Sequence, residues 1–554
     1  MSDNGDTKLI TIEVNGRTLR VPEGYPVIQA ALDNGILIPH YCYHADIGID
    51  GNCRMCLGEL EGGPPKLVPT CTLRAQDGMK VRTDTERVRE AVQGVLEFIL
   101  VNHPIDCPVC DQAGECKLQD YYVDFGMHRS HVPLEDKVHK RKVVELGRGI
   151  VLDAERCVLC SRCTRFTDAV TGTRELRFQN RGNHTEITTF DGQGLESDYS
   201  GNLADLCPVG ALTSRDFRFK KRVWFLQSAR SACDGCATNC SIRIDQDENV
   251  IYRYVPRRNT HVNASWMCDH GRVSYREVGR ERLEAPLLRD GDALTEIPWE
   301  KALGWVSRRI REARETPAGI LAIATPAVMT EELFLFQRFA ARILGTPNLD
   351  YRVSSTCENP SELEDALLYR RDHYPNSRGA AALGLVPDTG GVGLADAAGR
   401  TFKLVYLLGA HRLEGDRLPA IRSLLEAADA VVMHSAQRCE LLELADLVLP
   451  VAMTPEKAGT LVNHAGRVQR LEQAVTAPGE ATTDGRALAL IGEKLDEPLG
   501  DDTAAAVFAE ITAAVEAFGG LDWNTLGDTG RQLRGTTAEL PRVSAISPAP
   551  QLVD

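Results

Sequence analysis

Fifteen of the 17 cysteines in this 554-residue chain lie before residue 270, and they fall into four tight groups. The first residues, Met-Ser-Asp-Asn-Gly-Asp, are acidic and lack the apolar core of a signal peptide, so we expect a cytoplasmic protein. A reducing cytoplasm disfavours disulfides. Metal ligation is therefore the leading interpretation of the cysteine groups, and grouped thiolates suit either zinc or iron–sulfur clusters.

The first group has the spacing Cys42-x10-Cys53-x2-Cys56-x14-Cys71. It is close to the plant-type binuclear ferredoxin pattern, although its first gap is longer. A turn with Gly48 and Gly51 precedes Cys53, and we expect backbone N–H groups there to point at the cluster sulfurs. Zinc remains an alternative for this group.

The second group is His103-x3-Cys107-x2-Cys110-x5-Cys116, a loop without helical or strand periodicity. Its three cysteines leave a four-ligand site one member short, and His103 supplies the fourth ligand. A neutral imidazole in place of a thiolate removes one negative charge, which by itself raises the reduction potential of a cluster.

The third group, Cys157-x2-Cys160-x2-Cys163-x43-Cys207 followed by Pro208, is half of a bacterial two-cluster ferredoxin pattern. A cubane is favoured here over zinc, because structural zinc prefers pairs of C-x2-C. The fourth group is Cys233-x2-Cys236-x3-Cys240-x27-Cys268. Fifteen cysteines and one histidine thus give four complete sets of four ligands. The two remaining cysteines, Cys357 and Cys439, are predicted to be small buried hydrophobic residues.

Hydrophobic periodicity predicts the surrounding elements. Alternating apolar residues around Asn15-Gly16 predict a β-hairpin with a type I′ turn over residues 8–24, and helical spacing predicts a helix over 84–101. From about residue 295 helices alternate with the buried strands 320–324, 404–408 and 430–433, and one helix is predicted to be capped by Thr330. This alternation predicts a parallel sheet covered by helices.

Charge and composition exclude several functions. With 63 Lys and Arg against 78 Asp and Glu, the net charge of −15 argues against nucleic acid as the main partner. No apolar run approaches the roughly 18 residues that are needed to span a membrane. No G-x-G-x-x-G follows a strand, so no NADH site is expected. Positive side chains beside the ligands either favour reduced clusters or are surface charge: Arg54, Arg74, Arg156, Arg162 and Arg165.

In the order of these motifs, the chain resembles the large iron–sulfur subunit of the peripheral arm of respiratory complex I. The resemblance rests on the long-gap binuclear group, the His103 group, the ferredoxin half with Cys207-Pro208-Val-Gly-Ala-Leu, and the fourth group. The segments 445–450, 456–460 and 463–469 are similar to the molybdopterin oxidoreductase fold, which such subunits keep as a relic. The resemblance covers nearly the whole chain.

The resemblance implies an α+β multidomain protein with an N-terminal β-grasp ferredoxin, loop-rich iron–sulfur domains, and an α/β parallel-sheet domain like a truncated molybdopterin oxidoreductase. The expected domains are a binuclear ferredoxin-like domain (1–83), a His/Cys3 domain (84–144), a half-ferredoxin domain (145–222), a fourth cluster domain (223–280), the α/β domain (281–515) and a tail (516–554).

The resemblance also implies a function in electron transfer. Electrons from NADH would enter through a flavin subunit with a small [2Fe-2S] partner and leave through downstream iron–sulfur subunits towards quinone. The expected cofactors are one [2Fe-2S] and three [4Fe-4S] clusters, the fourth thought to lie off the main electron path. No molybdopterin is expected, because the final barrel domain that closes over that cofactor is not expected either. The chain would lie on the cytoplasmic side of a membrane-bound complex, contacting the membrane only indirectly and having no substrate site of its own.

Two other interpretations remain open at this point. An electron-transfer subunit of an NAD-linked hydrogenase or formate dehydrogenase would carry similar cluster-binding groups in its N-terminal half. A zinc-stabilised scaffold without redox function would carry the same cysteines and would be colourless.

Overall fold

A computed structural model describes residues 8–63, 65–190 and 193–537, and these residues form two compact units. The first unit ends at Phe225 and the second begins at Leu226. Over the described part of the chain, none of the helices has both the length and the apolar character needed to cross a membrane.

The described residues of the first unit hold ten strands and five α-helices. A five-stranded sheet has the order β2-β1-β5-β3-β4, a three-stranded sheet the order β10-β7-β6, and β8 pairs with β9. The strands are β1 Leu9–Val14, β2 Arg17–Pro22, β3 Leu57–Leu60, β4 Val68–Pro69, β5 Lys80–Arg82, β6 Val144–Glu145, β7 Ile150–Leu152, β8 Arg177–Gln179, β9 Glu186–Thr188 and β10 Leu212–Ser214. The helices are α1 Val27–Asp33, α2 Glu86–Leu100, α3 Lys117–Phe125, α4 Arg162–Ala169 and α5 Asn202–Leu206.

The predicted hairpin and the predicted helix of the first unit are confirmed. Strands β1 and β2 pair in register from Leu9↔Pro22 to Val14↔Arg17. Asn15 and Gly16 both have positive φ, 50° and 78°, as a type I′ turn requires. Helix α2 buries its apolar stripe and is capped by Thr85, whose side chain accepts the N–H of Val88. The helix delivers the chain directly to His103.

The described residues of the second unit hold thirteen strands and seven α-helices. The strands are β11 Gln227–Ala232, β12 Ser241–Asp247, β13 Val250–Pro256, β14 Leu287–Asp290, β15 Ala293–Glu296, β16 Ile320–Ala324, β17 Leu349–Asp350, β18 Leu404–Leu408, β19 Val431–Ser435, β20 Leu447–Pro450, β21 Gly459–Val462, β22 Arg467–Leu471 and β23 Arg531–Gln532. The helices are α6 Asp269–Val273, α7 Trp299–Ala313, α8 Thr330–Arg338, α9 Ser377–Leu383, α10 Leu418–Glu426, α11 Asp484–Lys494 and α12 Ala504–Ala514.

The predicted parallel sheet forms the centre of the second unit. Seven strands lie in the order β15-β14-β20-β19-β18-β16-β17, and the five from β20 to β17 run parallel. The strands β14 and β15 add an antiparallel edge that the sequence pattern did not predict. Strands β16, β18, β19 and β20 are buried along their whole length, as expected of a sheet covered on both faces.

Two expectations about local structure need correction. Thr330 is the first residue of α8 rather than its cap: Met329 occupies the cap position, and the Thr330 hydroxyl donates to the Thr460 carbonyl at 2.9 Å. The predicted tail also begins too early. Phe518, Leu526 and Leu533 are buried in the core of the α/β unit, and β23 pairs with β22. The remainder of the predicted tail, 538–554, lies outside the described residues.

A buried carboxyl gives the second unit a pH-dependent stability. Glu331, on the first turn of α8, accepts the backbone N–H and the hydroxyl of Thr460 at 2.9 and 2.8 Å. Burial nevertheless raises the pKa of Glu331 from 4.5 to about 7. The folded unit therefore holds a proton at a pH where the unfolded chain has released it.

We expect the free energy of unfolding of this unit to decrease as the pH rises from 4.5 to 7, by up to about 3 kcal/mol. The contribution is fully present below pH 4.5 and is lost through pH 7. Glu331→Gln should flatten the profile in this window, as measured by urea unfolding at several pH values. The exposed Glu312, paired with Arg309 at 3.2 Å, provides the control Glu312→Gln. Parallel pH profiles for wild type and Glu331→Gln would refute this assignment.

Candidate metal centres

The structure brings the four cysteines of the first group together at the edge of the five-stranded sheet. Three of them are fully buried and Cys53 is half-buried. The thiols hydrogen-bond in two pairs, Cys42 with Cys53 and Cys56 with Cys71, and the Cys42 thiol also interacts electrostatically with those of Cys56 and Cys71. Residues separated by up to 29 positions in sequence thus converge on one site.

The turn before Cys53 supplies backbone donors, as the glycine pattern predicted. Gly48 and Gly51 have φ of 84° and 74°, in the left-handed region that glycine adopts without strain. A hydrogen bond from the Cys53 thiol, assisted by the N–H groups of Gly51, Asn52 and Cys53, lowers the pKa of Cys42 well below its usual range. Cys42 is therefore stabilised as the thiolate, which is the form that binds metal.

The second group gathers its three cysteines around a short turn and the start of α3. Cys116 is the residue preceding α3, and its sulfur accepts the N–H groups of Leu118 and Gln119 while burial raises its pKa to about 11. Cys107 and Cys110 both interact electrostatically with Cys116. The sulfur of Cys116 thus faces the N-terminal turn of a helix, and the other two thiols lie within electrostatic reach of it.

His103 lies beside the same charged side chains as Cys110. Asp106 and Arg156 form an ion pair at 2.6 Å, and both act on His103 and on Cys110. Burial lowers the pKa of His103 to about 4, so the imidazole is neutral at pH 7, as a metal ligand must be. Arg156 itself is 5% exposed. Sequence reasoning noted this arginine without finding Asp106, since nothing in the spacing links the two.

The third group brings Cys157, Cys160 and Cys163 together with the distant Cys207. Each of the four thiols interacts electrostatically with others of the set. The sulfur of Cys207 accepts three backbone N–H groups of the loop that follows it, from Val209, Ala211 and Leu212. Cys207 therefore reaches the other three thiols from a separate segment of the chain, which is the arrangement that the spacing predicts.

The fourth group lies in the second unit, around the hairpin of β11 and β12. Cys233 follows β11 directly and Cys240 precedes β12, with the Cys233 N–H donating to the Cys240 carbonyl at 2.8 Å. Cys268 caps α6 and accepts the Gly271 N–H at 3.4 Å. The thiols of Cys233, Cys236 and Cys268 all act on Cys240. Helix start and hairpin turn together hold the four sulfurs.

Every ligand loop contains a non-glycine residue with left-handed backbone, a conformation that costs about 1–2 kcal/mol per residue. Such strain persists where the surroundings enforce it, and it concentrates at ligand sites. At Leu159 it turns the backbone N–H towards the sulfur of Cys157. The residues are Arg54, Ile105, Leu159, Ser161 and Asn239, with φ between 50° and 63°.

Two glycines lie so close to cysteine sulfurs that no larger residue fits. A Cβ on Gly210 would be 2.3 Å from Cys110 Sγ, and a Cβ on Gly271 would be 2.7 Å from Cys233 Sγ. Gly210 belongs to the loop of the third group yet abuts a cysteine of the second. The sequence shows a glycine three residues after Cys207, but it does not show that this glycine contacts Cys110.

The donor sets fit iron–sulfur clusters. Thiolates with one neutral imidazole are the ligands that such clusters use, and backbone N–H donors to the sulfurs accompany them. Across residues 8–63, 65–190 and 193–537, no three His, Cys, Asp or Glu side chains are placed to hold one metal ion. A cubane differs from a single ion in this respect, because its protein ligands bind different irons. Cys357 is buried in the hydrophobic core as predicted, and Cys439 is half-buried against it.

Five family models match the chain. The first unit matches a "2Fe-2S iron-sulfur cluster binding domain" (7–86), the "NADH-ubiquinone oxidoreductase-G iron-sulfur binding region" (93–131) and the "NADH-quinone oxidoreductase subunit 3, ferredoxin-like domain" (147–213). The second unit matches the "Molybdopterin oxidoreductase Fe4S4 domain" (226–279) and "Molybdopterin oxidoreductase" (282–370 and 369–494). Each model of the first unit spans one predicted ligand group.

Relatives with similar sequences carry related names. The chain is 38% identical over 373 residues to the "NADH-ubiquinone oxidoreductase 75 kDa subunit" of Reclinomonas americana, covering 66% of this chain and 53% of that relative. It is 29% identical over 609 aligned residues to the mitochondrial "NADH-ubiquinone oxidoreductase 78 kDa subunit" of Candida albicans, covering 88% and 83%. Alignments with several of the curated relatives span only about half of the relatives' own length.

A solved structure also shows similarity. A chain from an NAD+-reducing [NiFe]-hydrogenase in the H2-reduced state matches with a TM-score of 0.35 and 29% identity, over 39% of this chain and 91% of the other.

Proposed function

We propose that this chain, a homologue of the large iron–sulfur subunits of complex I, is an electron-transfer subunit that relays electrons from an NADH-oxidising flavin subunit towards quinone. The observation that carries the proposal is the convergence of four separate sets of cysteines in loops with backbone donors aimed at their sulfurs. Iron–sulfur clusters held there would each accept and release single electrons.

We assign the ligands as one binuclear and three cubane sets. The [2Fe-2S] cluster would be held in a β-grasp ferredoxin domain at the edge of the five-stranded sheet, with a His/Cys3 domain, a half-ferredoxin domain and a fourth cluster domain following within the boundaries given above. The ligand sets are Cys42, Cys53, Cys56, Cys71; His103, Cys107, Cys110, Cys116; Cys157, Cys160, Cys163, Cys207; and Cys233, Cys236, Cys240, Cys268.

The chain's own residues contribute shape and charge to these sites. The left-handed Leu159 turns its N–H towards the sulfur of Cys157, and such donors stabilise a reduced, more negative cluster. The ion pair of the buried Arg156 with the half-buried Asp106 fixes the surroundings of His103 and Cys110. Neither role needs a substrate site on this chain.

The partners follow from the same proposal. They would be the flavin and NADH-binding subunit with its small [2Fe-2S] partner on one side, and further iron–sulfur subunits of the peripheral arm on the other. The chain would lie on the cytoplasmic side of the membrane-bound complex. We expect no molybdopterin in the α/β unit and no nucleic acid among the partners.

Iron and sulfide analysis with EPR tests the proposal. The anaerobically prepared full chain, reduced with dithionite, should contain acid-labile sulfide, absorb visible light and show one binuclear and three cubane signals. A chain that contains zinc, has no visible absorption and shows no EPR signal after reduction would be a scaffold, and the proposal would fail.

His103→Cys tests the most unusual ligand. The variant should keep a cluster, because a thiolate is an acceptable ligand, but its added negative charge should lower the reduction potential by on the order of 100 mV. The measurement is a redox titration followed by EPR. His184→Cys introduces the same residue at an exposed position and should leave all four signals unchanged. If the signals of His103→Cys match those of wild type in shape and potential, His103 is not a ligand.

A further inference from the structure

Helix α4 starts inside the loop of the third ligand set and reaches the loop of the first. Its first residue, Arg162, lies between Cys160 and Cys163 in sequence, and Arg165 follows one turn later. Arg162 Nη2 donates to the Tyr43 carbonyl at 2.6 Å. Arg165 Nη1 donates to the Gly48 carbonyl at 3.1 Å, and Arg165 Nη2 donates to the carbonyl of Cys42 itself. Two guanidinium groups thus bind the backbone beside a first-set ligand.

Further contacts lie at the same place, the junction where the start of α4 meets the loops of the first and third sets. Arg162 Nη1 donates to the Leu206 carbonyl at 3.3 Å, next to Cys207. Ser161 Oγ accepts Arg165 Nε at 3.1 Å and donates to Asp50 Oδ2 at 2.5 Å. One helix terminus therefore joins the first loop, the C-x2-C-x2-C loop and the distant fourth ligand of the third set.

The charge of Arg162 faces sulfur rather than carboxylate in these contacts. Arg162 is 4% exposed, its hydrogen bonds end on carbonyl oxygens, and its electrostatic partners include the thiols of Cys160 and Cys207. A buried guanidinium is strongly destabilising unless an anion compensates its charge. As cluster ligands, the thiolates of Cys160 and Cys207 would supply that anion. The thiol of Cys160 also lies within electrostatic reach of Cys42, so the two sets are neighbours.

We infer that Arg162 and Arg165 are positioning residues: together they fix the spacing between the first and third ligand sets, and Arg162 also places a permanent positive charge beside the third set. The inference rests on the proposed function, since spacing and charge matter here only if both sets hold clusters. Arginine suits the role because its planar group donates several hydrogen bonds in fixed directions, whereas lysine supplies the same charge at a single point.

The two effects separate by substitution. Arg165→Gln and Arg165→Lys both lose the hydrogen bonds to the carbonyls of Gly48 and Cys42, so the spacing between the two sets is no longer fixed. The magnetic coupling between the binuclear cluster and the third-set cluster should therefore weaken in both variants. Arg162→Gln should in addition shift the reduction potential of the third-set cluster downwards, because a positive charge is lost. Arg162→Lys should keep the potential near that of wild type while the coupling still weakens.

The experiment uses the anaerobically prepared full chain reduced with dithionite. Power saturation of the binuclear EPR signal reports the coupling, and a redox titration reports the potential. Arg174→Gln is the control, because Arg174 is exposed and pairs with Asp168 at 2.7 Å away from the junction; both readouts should equal those of wild type. Arg165→Lys keeps the test valid if the buried Arg162→Gln does not fold.

The outcomes distinguish this inference from the proposed function. Absence of cluster signals from wild type would overturn the proposed function. Wild-type signals with unchanged coupling in both Arg165 variants would overturn the positioning role. An unchanged potential in a folded Arg162→Gln would overturn the charge role.

Discussion

Gly210→Ala is expected to abolish the EPR signal of the His103 cluster and to perturb that of the third ligand set. A Cβ at this position would lie 2.3 Å from Cys110 Sγ, 3.2 Å from Gln112 Cβ and 3.5 Å from Arg156 Cδ. The new methyl group thus meets atoms of two further residues besides the sulfur. Overpacking of this kind commonly costs about 1–3 kcal/mol even in apolar cores, which is roughly 5- to 160-fold in the equilibrium between the folded and the unfolded state.

The strain at Gly210 has two ways to relax, and both affect a ligand set. Moving Cys110 withdraws a ligand of the second set. Moving the 207–212 loop withdraws backbone donors of Val209, Ala211 and Leu212 from Cys207 in the third set. We expect the first route to dominate, since three N–H donors hold the Cys207 loop. Reduced iron content and the missing cubane signal are the readouts.

Gly94→Ala is the matched control. Gly94 lies within α2, and a Cβ there would meet no atom within 4 Å. Alanine in a helix interior is favoured over glycine by roughly 0.5–1 kcal/mol, so this variant should be slightly more stable and keep all its clusters. If Gly210→Ala retains the same iron content and the same signals as Gly94→Ala, the close approach of Gly210 to Cys110 does not exist in the loaded protein.

The contrast between these two glycines shows what the sequence could predict. The sequence predicts the grouping of the cysteines because their spacing is a local signal, and it predicts the hairpin at Asn15-Gly16 because turn chemistry is local. The contact between Gly210 and Cys110 joins residues 100 positions apart, and the carbonyls gripped by Arg165 lie more than 110 positions away from it. Spacing within one loop carries no information about which other loop packs against it.

In the α/β unit, too, local patterns predict some elements while contacts between distant segments decide others. Continuous apolar runs predicted β16, β18 and β19, and they form the centre of the parallel sheet. The sequence pattern does not predict the antiparallel edge of β14 and β15, because both strands are short and the outer strand, β15, is mostly exposed. The segment 516–554 is predicted to be a tail because it holds Thr, Gly, Pro and Ser with little periodicity, yet Phe518, Leu526 and Leu533 lie in the core. Three well-placed side chains suffice to dock a segment without periodicity.

The second large effect is expected at a buried charge cluster of the α/β unit. Lys457 Nζ lies 2.7 Å from Glu332 Oε2 and 3.1 Å from Asp484 Oδ2, with all three side chains at most 6% exposed. His434 Nδ1 lies 2.9 Å from the other oxygen of Asp484, and the Asp484 N–H donates to Glu332 Oε1 at 3.0 Å. The cluster ties α8 and α11 to the loop that carries Lys457. A single lysine faces two buried carboxyl groups.

Lys457→Met should lower the free energy of unfolding of this unit by roughly 3–5 kcal/mol, because removing one partner leaves uncompensated buried charge. At about 2–4 °C per kcal/mol, the melting temperature should decrease by roughly 6–20 °C. Without the cation, the pKa of both carboxyl groups rises. A carboxyl with a raised pKa contributes stability at low pH that is lost as the pH increases, so the deficit should be larger at pH 8 than at pH 5.

Lys494→Met provides the control for this prediction, since Lys494 lies in the same unit and pairs with the exposed Glu300 at 2.5 Å. An exposed pair contributes about 0–1 kcal/mol, so the melting temperature of this variant should change little. Calorimetry at the two pH values compares both variants with wild type. Equal melting temperatures for Lys457→Met and Lys494→Met would show that the buried cluster does not depend on its lysine. A deficit that grows from pH 5 to pH 8 only in Lys457→Met would trace the loss to the two buried carboxylates.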